Sequence, residues 1–150
     1  MMPAVVRFDR RMFEQYCKSM NLKYLVDSQG NFRVGFAHDE ERGCQLTVWL
    51  LAAGSTGQIL AIRVESDRQI PKSDWPRAML VCNMWNQTRR WPKAYLNVED
   101  PQTEFSATIE LEHQVDLEPG IYQELLNDMI NTTIVTAFSF WSWAHKEQGF

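Results

Sequence analysis

From Glu104 to Glu112 the chain alternates without a break: Phe105, Ala107, Ile109 and Leu111 occupy one set of positions, and Glu104, Ser106, Thr108, Glu110 and Glu112 the other. Successive side chains of a strand point to opposite faces of a sheet, so this segment puts Phe105, Ala107, Ile109 and Leu111 inward and its glutamates outward. The sheet it belongs to has one face on a core and one wet face. Helices are therefore expected on one side of it.

The same period of two recurs upstream. Leu22, Tyr24 and Val26 alternate with Lys23, Leu25 and Asp27, and Phe32, Val34 and Phe36 resume the pattern after the turn residues Ser28-Gln29-Gly30-Asn31, which predicts a hairpin. Cys44, Leu46, Val48 and Leu50 then face one way and Gln45, Thr47 and Trp49 the other. A turn at Gly54-Ser55-Thr56-Gly57 precedes Leu60, Ile62 and Val64. Turns this short join antiparallel strands, since a parallel pair needs a long crossover. A further strand, Ala94 to Val98, precedes the alternating one and is joined to it at Glu99-Asp100-Pro101-Gln102.

Three segments carry helical spacing instead. Phe8, Met12, Phe13, Tyr16, Cys17 and Met20 mark one face of a helix that stops at Asn21. Ser73 or Asp74 is expected to cap a second helix, which shows Trp75, Met79, Cys82 and Trp85 on one face and ends before Trp91-Pro92. Leu117-Glu118-Pro119-Gly120 is expected to open a third, running to about Lys146, whose second half is apolar nearly all round through Ile134, Val135, Phe138, Phe140, Trp141 and Trp143. A helix apolar on several sides must be covered on several sides. The sheet covers one, and a subunit or a second helix is needed for the other. The reading is an α+β chain, an antiparallel β-sheet with helices packed against it in the order α-β-β-β-β-α-β-β-α, forming one domain over residues 1–150.

Composition narrows the function. A net charge of −4 supplies no field to draw in nucleic acid, whose binding rests on neutralising phosphates with Lys and Arg. The most apolar run, Ile134 to Ala144, is interrupted by Thr136, Ser139 and Ser142 and is about half the roughly 20 residues that span a bilayer. No membrane and no nucleic-acid partner are expected. Cys17, Cys44 and Cys82 are widely spaced and sit in no C-x-x-C pair, which reads as buried reduced thiols in a cytoplasmic protein. The mixture of Arg7, Asp9, Arg10 and Arg11 with single hydrophobics near the start is not a secretory signal.

Chemistry finds little purchase. His38, His113 and His145 have no Cys, Asp or Glu partner at ligand spacing, so no metal and no cofactor are expected. Paired carboxylates on the outward face of the Glu104 to Glu112 strand lack the contrasting environments that an acid and a base require. The Gly54 to Gly57 turn lacks the Lys and the following helix of a phosphate loop. No catalytic residues are assigned, and an enzyme is not expected.

One segment stands out, Cys82 to Tyr95. Its Arg89, Arg90 and Lys93 with Trp91 and Tyr95 form a candidate basic, aromatic partner-binding patch. The structural alternative places Trp85 in the core, lets Asn86 satisfy backbone groups, and sets the arginines at the negative pole of the helix dipole. Asn83-Met84-Trp85-Asn86 followed by Arg90-Trp91-Pro92-Lys93-Ala94-Tyr95 resembles the N-x-W-N … R-[FW]-x-K-[AV]-Y segment of the bacterial YbjN family, with Trp91 at the usual Phe position. The order of elements is similar over nearly the whole chain. The resemblance implies a fold like that of the dimeric type III secretion chaperones, and a sensory-transduction or stress-related regulator without enzymatic activity.

The expected function is thus a non-enzymatic, chaperone-like or regulatory domain acting as a homodimer on a polypeptide partner. Ile134, Phe138, Phe140, Trp141 and Trp143 are the candidate dimer interface, because the sheet buries only one stripe of their helix. The rival reading is a small-molecule sensor in which Trp49, Trp75 and Trp91 border an apolar pocket.

Overall fold

The computed structural model describes residues 2–150. Helix α1 (Arg11–Ser19) is followed by β1 (Leu25–Val26), β2 (Phe32–Asp39), β3 (Cys44–Ala53), β4 (Ile59–Ser66) and the two-residue β5 (Ile70–Pro71). A 3₁₀ turn, Lys72–Asp74, leads into α2 (Trp75–Thr88), then β6 (Lys93–Asn97), β7 (Ser106–Asp116) and α3 (Gln123–Lys146). The seven strands form one antiparallel sheet in the order β1-β2-β3-β4-β7, with β4 and β5 along one side of β7 and β6 on its other side. Strand β6 is thus an edge, and β1 with β2 makes the opposite one.

Alternation decides which face meets the helices. Phe32 and Val34 of β2, Cys44, Leu46, Val48 and Leu50 of β3, Leu60, Ile62 and Val64 of β4, and Ala107, Ile109 and Leu111 of β7 are all buried. α1 meets this layer through Phe13 on Phe32, ring centroids 5.7 Å apart. α3 meets it through Phe138 on Phe36 at 5.0 Å. α2 closes the layer by setting Trp85 against Phe140 at 5.2 Å and Trp143 at 6.0 Å. The apolar second half of α3 therefore finds its second cover in α2, while α1 covers the first half, where the Tyr16 hydroxyl donates to Asn131 Oδ1 at 2.6 Å.

Element ends follow local chemistry. Asn21 adopts φ +53°, Leu22 N–H reaches Cys17 O at 2.9 Å and Asn21 N–H reaches Lys18 O at 3.2 Å, so α1 ends where the sequence stops it, in paired closing bonds that satisfy its last carbonyls. That closure also shortens the predicted first strand. Leu22 and Tyr24 pack against the core before pairing begins, leaving only Leu25–Val26 in β1, both exposed.

Several other expectations are corrected. Neither Ser73 nor Asp74 makes a side-chain capping bond to α2, and the 3₁₀ turn takes that place. Met79 is 52% exposed, and the buried stripe of α2 is Trp75, Ala78, Val81, Cys82 and Trp85. Phe105 lies before β7 and is 78% exposed. α3 starts at Gln123, because Ile121 exchanges both backbone bonds with Val6 at 3.0 Å and Gly120 turns the chain at φ +98°.

Candidate functional site

The Trp85 to Tyr95 segment is built by two side chains that reach forward along the sequence. Trp85 Nε1–H donates to Pro92 O at 2.9 Å, and Asn86 takes both backbone groups of Ala94, accepting its N–H at 2.9 Å and donating to its carbonyl at 3.0 Å. Asn86 thus occupies part of the free edge of β6 as a strand partner would, which limits addition of another strand there. Trp91-Pro92, just before these contacts, is a cis peptide.

This construction separates the five residues of the expected partner-binding patch. The Arg89 guanidinium lies over the Trp85 ring, 5.1 Å from its centroid, and Arg90 is exposed. Trp91 turns toward α3 and tilts against the His113 ring at 5.8 Å. Lys93 and Tyr95 project from the opposite face of β6, where Lys93 Nζ is 3.4 Å from Glu112 and the Tyr95 hydroxyl donates to Glu110 at 2.7 Å. Lys93 and Tyr95 share a surface. Arg89, Arg90 and Trp91 do not join them in one stacking platform.

The helix-free face of the sheet is less wet than alternation predicts. Glu110 and Glu112 point to that face as expected, yet they are only 7% and 8% exposed. Glu110 also accepts from Asn97 at 2.9 Å, and Glu112 accepts from Gln114 at 2.5 Å with Arg63 Nε at 3.5 Å. Burial, followed by the Glu110 hydrogen bond, pushes the Tyr95 phenol above its ordinary pKa, so it stays protonated as the donor. Each carboxylate has more than one donor or cation beside it, which describes a structural network spanning β4, β6 and β7, although Arg63 Nε makes only a charge contact there and no hydrogen bond. Trp49 lies on this face as well, donating to Glu65 at 3.2 Å.

Trp49, Trp75 and Trp91 therefore border no common pocket. Trp75 is buried with its Nε1–H on Ile70 O at 3.1 Å, and Trp91 is on the helical side. The residues expected at a dimer interface are also placed differently from expectation. Phe140 and Trp141 are 0% exposed and Ile134 is buried, while Phe138 and Trp143 are partly buried against the core. Two of the five thus offer no surface to a second subunit.

Two surface features adjoin the Trp85 to Tyr95 segment. On α2, Met79, Leu80 and Met84 are exposed at 52%, 58% and 38%, and Met79 also lines a shallow groove of about 300 Å³ between α2 and β6, with Cys82, Asn83, Asn86 and Leu96 among others. On the other side of the segment, Trp91, His113 and the α3 residues Leu125, Asp128, Met129 and Thr132 enclose a smaller cavity of about 250 Å³. Both carried sequence signals. Residues 75–85 are apolar on more than one face, like the second half of α3, and His113 has the same parity as Ile109 and Leu111, which turns it inward.

Burial pushes the thiols of Cys17 and Cys44 up to about 11 and that of Cys82 up to about 12, so they are protonated at neutral pH. His38 is exposed, and His145 Nδ1 lies 2.6 Å from Phe150 O. Among the described residues no cluster of three His, Cys, Asp or Glu has metal-site geometry, and no helix is long and apolar enough to cross a membrane.

The model of the YbjN family, "Putative bacterial sensory transduction regulator", matches residues 9–145. No curated protein matches the chain. The crystal structure of YbjN, a putative transcription regulator from E. coli, is similar with a TM-score of 0.76 over 97% of both chains, at 10% sequence identity. At that identity the likeness is one of fold.

Proposed function

This chain belongs to the YbjN family, and from that premise we propose a regulator that works without catalysis, by binding a polypeptide partner along α2 and the groove beside β6. The uncovered stripe of Met79, Leu80 and Met84 carries this reading. Exposed apolar residues on a helix beside a groove are the usual ground for a bound peptide, and methionines adapt to varied apolar partners. Asn83 on the groove wall offers its amide to a peptide backbone. The acidic balance of the chain favours a polypeptide over a nucleic acid as the partner.

Selection of displayed random peptides against the immobilised protein tests this. The expected result is a set of peptides with apolar anchors whose affinity falls about tenfold or more on Leu80→Asp, with the thermal midpoint unchanged because Leu80 is exposed. Peptides bound equally well by the Leu80→Asp variant would sink the proposal. So would a stripe occupied by a second copy of the chain, seen as a dimer in light scattering that Leu80→Asp converts to monomer.

A further inference from the structure

The cavity beneath Trp91 brings an aromatic face, an imidazole and an unpaired carboxylate onto one small space. We infer that it is a binding site for a small organic cation with an apolar body, an amine carried on a single aryl or alkyl group. The inference does not depend on the polypeptide reading, because the cavity shares no lining residue with the α2–β6 groove.

Helical spacing builds one wall. Leu125, Asp128, Met129 and Thr132 stand at i, i+3, i+4 and i+7 on α3, so a single stripe faces Trp91 and His113. Leu125 and Met129 supply apolar contact. Trp91, 38% exposed, offers an indole face of the kind that attracts cations. Asp128 belongs to none of the ion pairs among the described residues, so its charge has no partner within the chain.

The charges around the cavity all point the same way. Burial lowers the His113 pKa, which leaves the ring neutral at neutral pH. Arg89 is engaged over Trp85, and neither it nor Arg90 lines the space. Asp128 is the one acidic side chain of the lining. An anion would meet only that carboxylate, whereas an ammonium group would pair with it while its hydrocarbon part displaced water from Leu125, Met129 and Trp91. At about 250 Å³ the space suits a one-ring molecule and is too small for a folded peptide segment.

Phenethylammonium, phenethyl alcohol and phenylacetate share a body and differ in charge, which makes them the probes. Each is titrated at millimolar concentration into the whole protein, while the imidazole resonances of His113, His38 and His145 and the Trp91 indole N–H are followed by NMR. Phenethylammonium should shift His113 and Trp91 saturably and leave His38 and His145 in place. The alcohol should bind about tenfold more weakly, and phenylacetate should not bind. Asp128→Asn, an exposed change that leaves the fold intact, should reduce phenethylammonium to the level of the alcohol. Equal shifts from the ammonium and the carboxylate, or no shift of His113 by any probe, would overturn the inference. Undiminished ammonium binding in Asp128→Asn would do the same.

Discussion

His113 is the residue whose placement has the most measurable consequence. It follows Ile109 and Leu111 on the helical face of β7, and burial against Trp91 and α3 penalises its charged form. Its folded pKa is therefore below the ordinary value of 6.5, and the unfolded chain binds the proton more readily. The contribution of this group to stability is undiminished above pH 6.5, falls as pH drops through that value, and levels off once the pH is below the folded pKa. An NMR titration should give a midpoint under 6.5. In parallel, wild type should lose stability to urea relative to His113→Gln as the pH is lowered from 7 to 5; a midpoint above 6.5 would contradict the placement. Glu110 and Glu112 show the opposite side of the same sequence pattern. Parity set their direction correctly, but their burial comes from Tyr95, Lys93 and Arg63 on neighbouring strands, which no local window contains.

At the scale of elements, local chemistry settles where α1 and α2 stop, and long-range contact settles where α3 begins. Asn21 and the Trp91-Pro92 pair are signals carried by the residues themselves. Leu117-Glu118-Pro119-Gly120 reads equally well as a helix start until Val6, more than a hundred residues earlier, pairs with Ile121. Gly120 permits that pairing, since an added Cβ would lie 2.8 Å from Val6 O with the backbone at φ +98°. Gly120→Ala should cost more than about 1 kcal/mol in equilibrium denaturation, because the alanine is strained both by its backbone angle and by the approach of Val6. A neutral result would mean that the Val6 segment does not hold the start of α3. Helix α2 teaches a different lesson: its sequence is apolar on several faces, and only packing shows that Met79, Leu80 and Met84 are the ones left outside.

For the whole molecule, the decisive observation is that α2 and the sheet enclose the second half of α3 within one chain. Phe140 touches Trp85, Trp141 and Trp143, and has no exposed surface. Phe140→Asp should therefore abolish the folded state, since it buries a charge without a partner, with a loss above about 4 kcal/mol. Far-UV circular dichroism and light scattering distinguish this from an interface role: a folded variant of lower mass than wild type would place Phe140 between subunits. The α+β class, the antiparallel pairing, the order of elements apart from the two-residue β5, and the inward or outward sense of most strand residues were readable from periodicity and turn chemistry, which act over a few residues. The family was readable from the segment Asn83 to Tyr95, whose contacts Trp85–Pro92 and Asn86–Ala94 are themselves short in sequence. What covers α3, which apolar face of α2 stays in water, how Lys93 and Tyr95 part from Trp91, and the meeting of Trp91 with His113 and Asp128 were decided only by the tertiary structure. Each depends on elements far apart in the chain arriving at one place, and a linear pattern records which way a side chain points but not what it finds there.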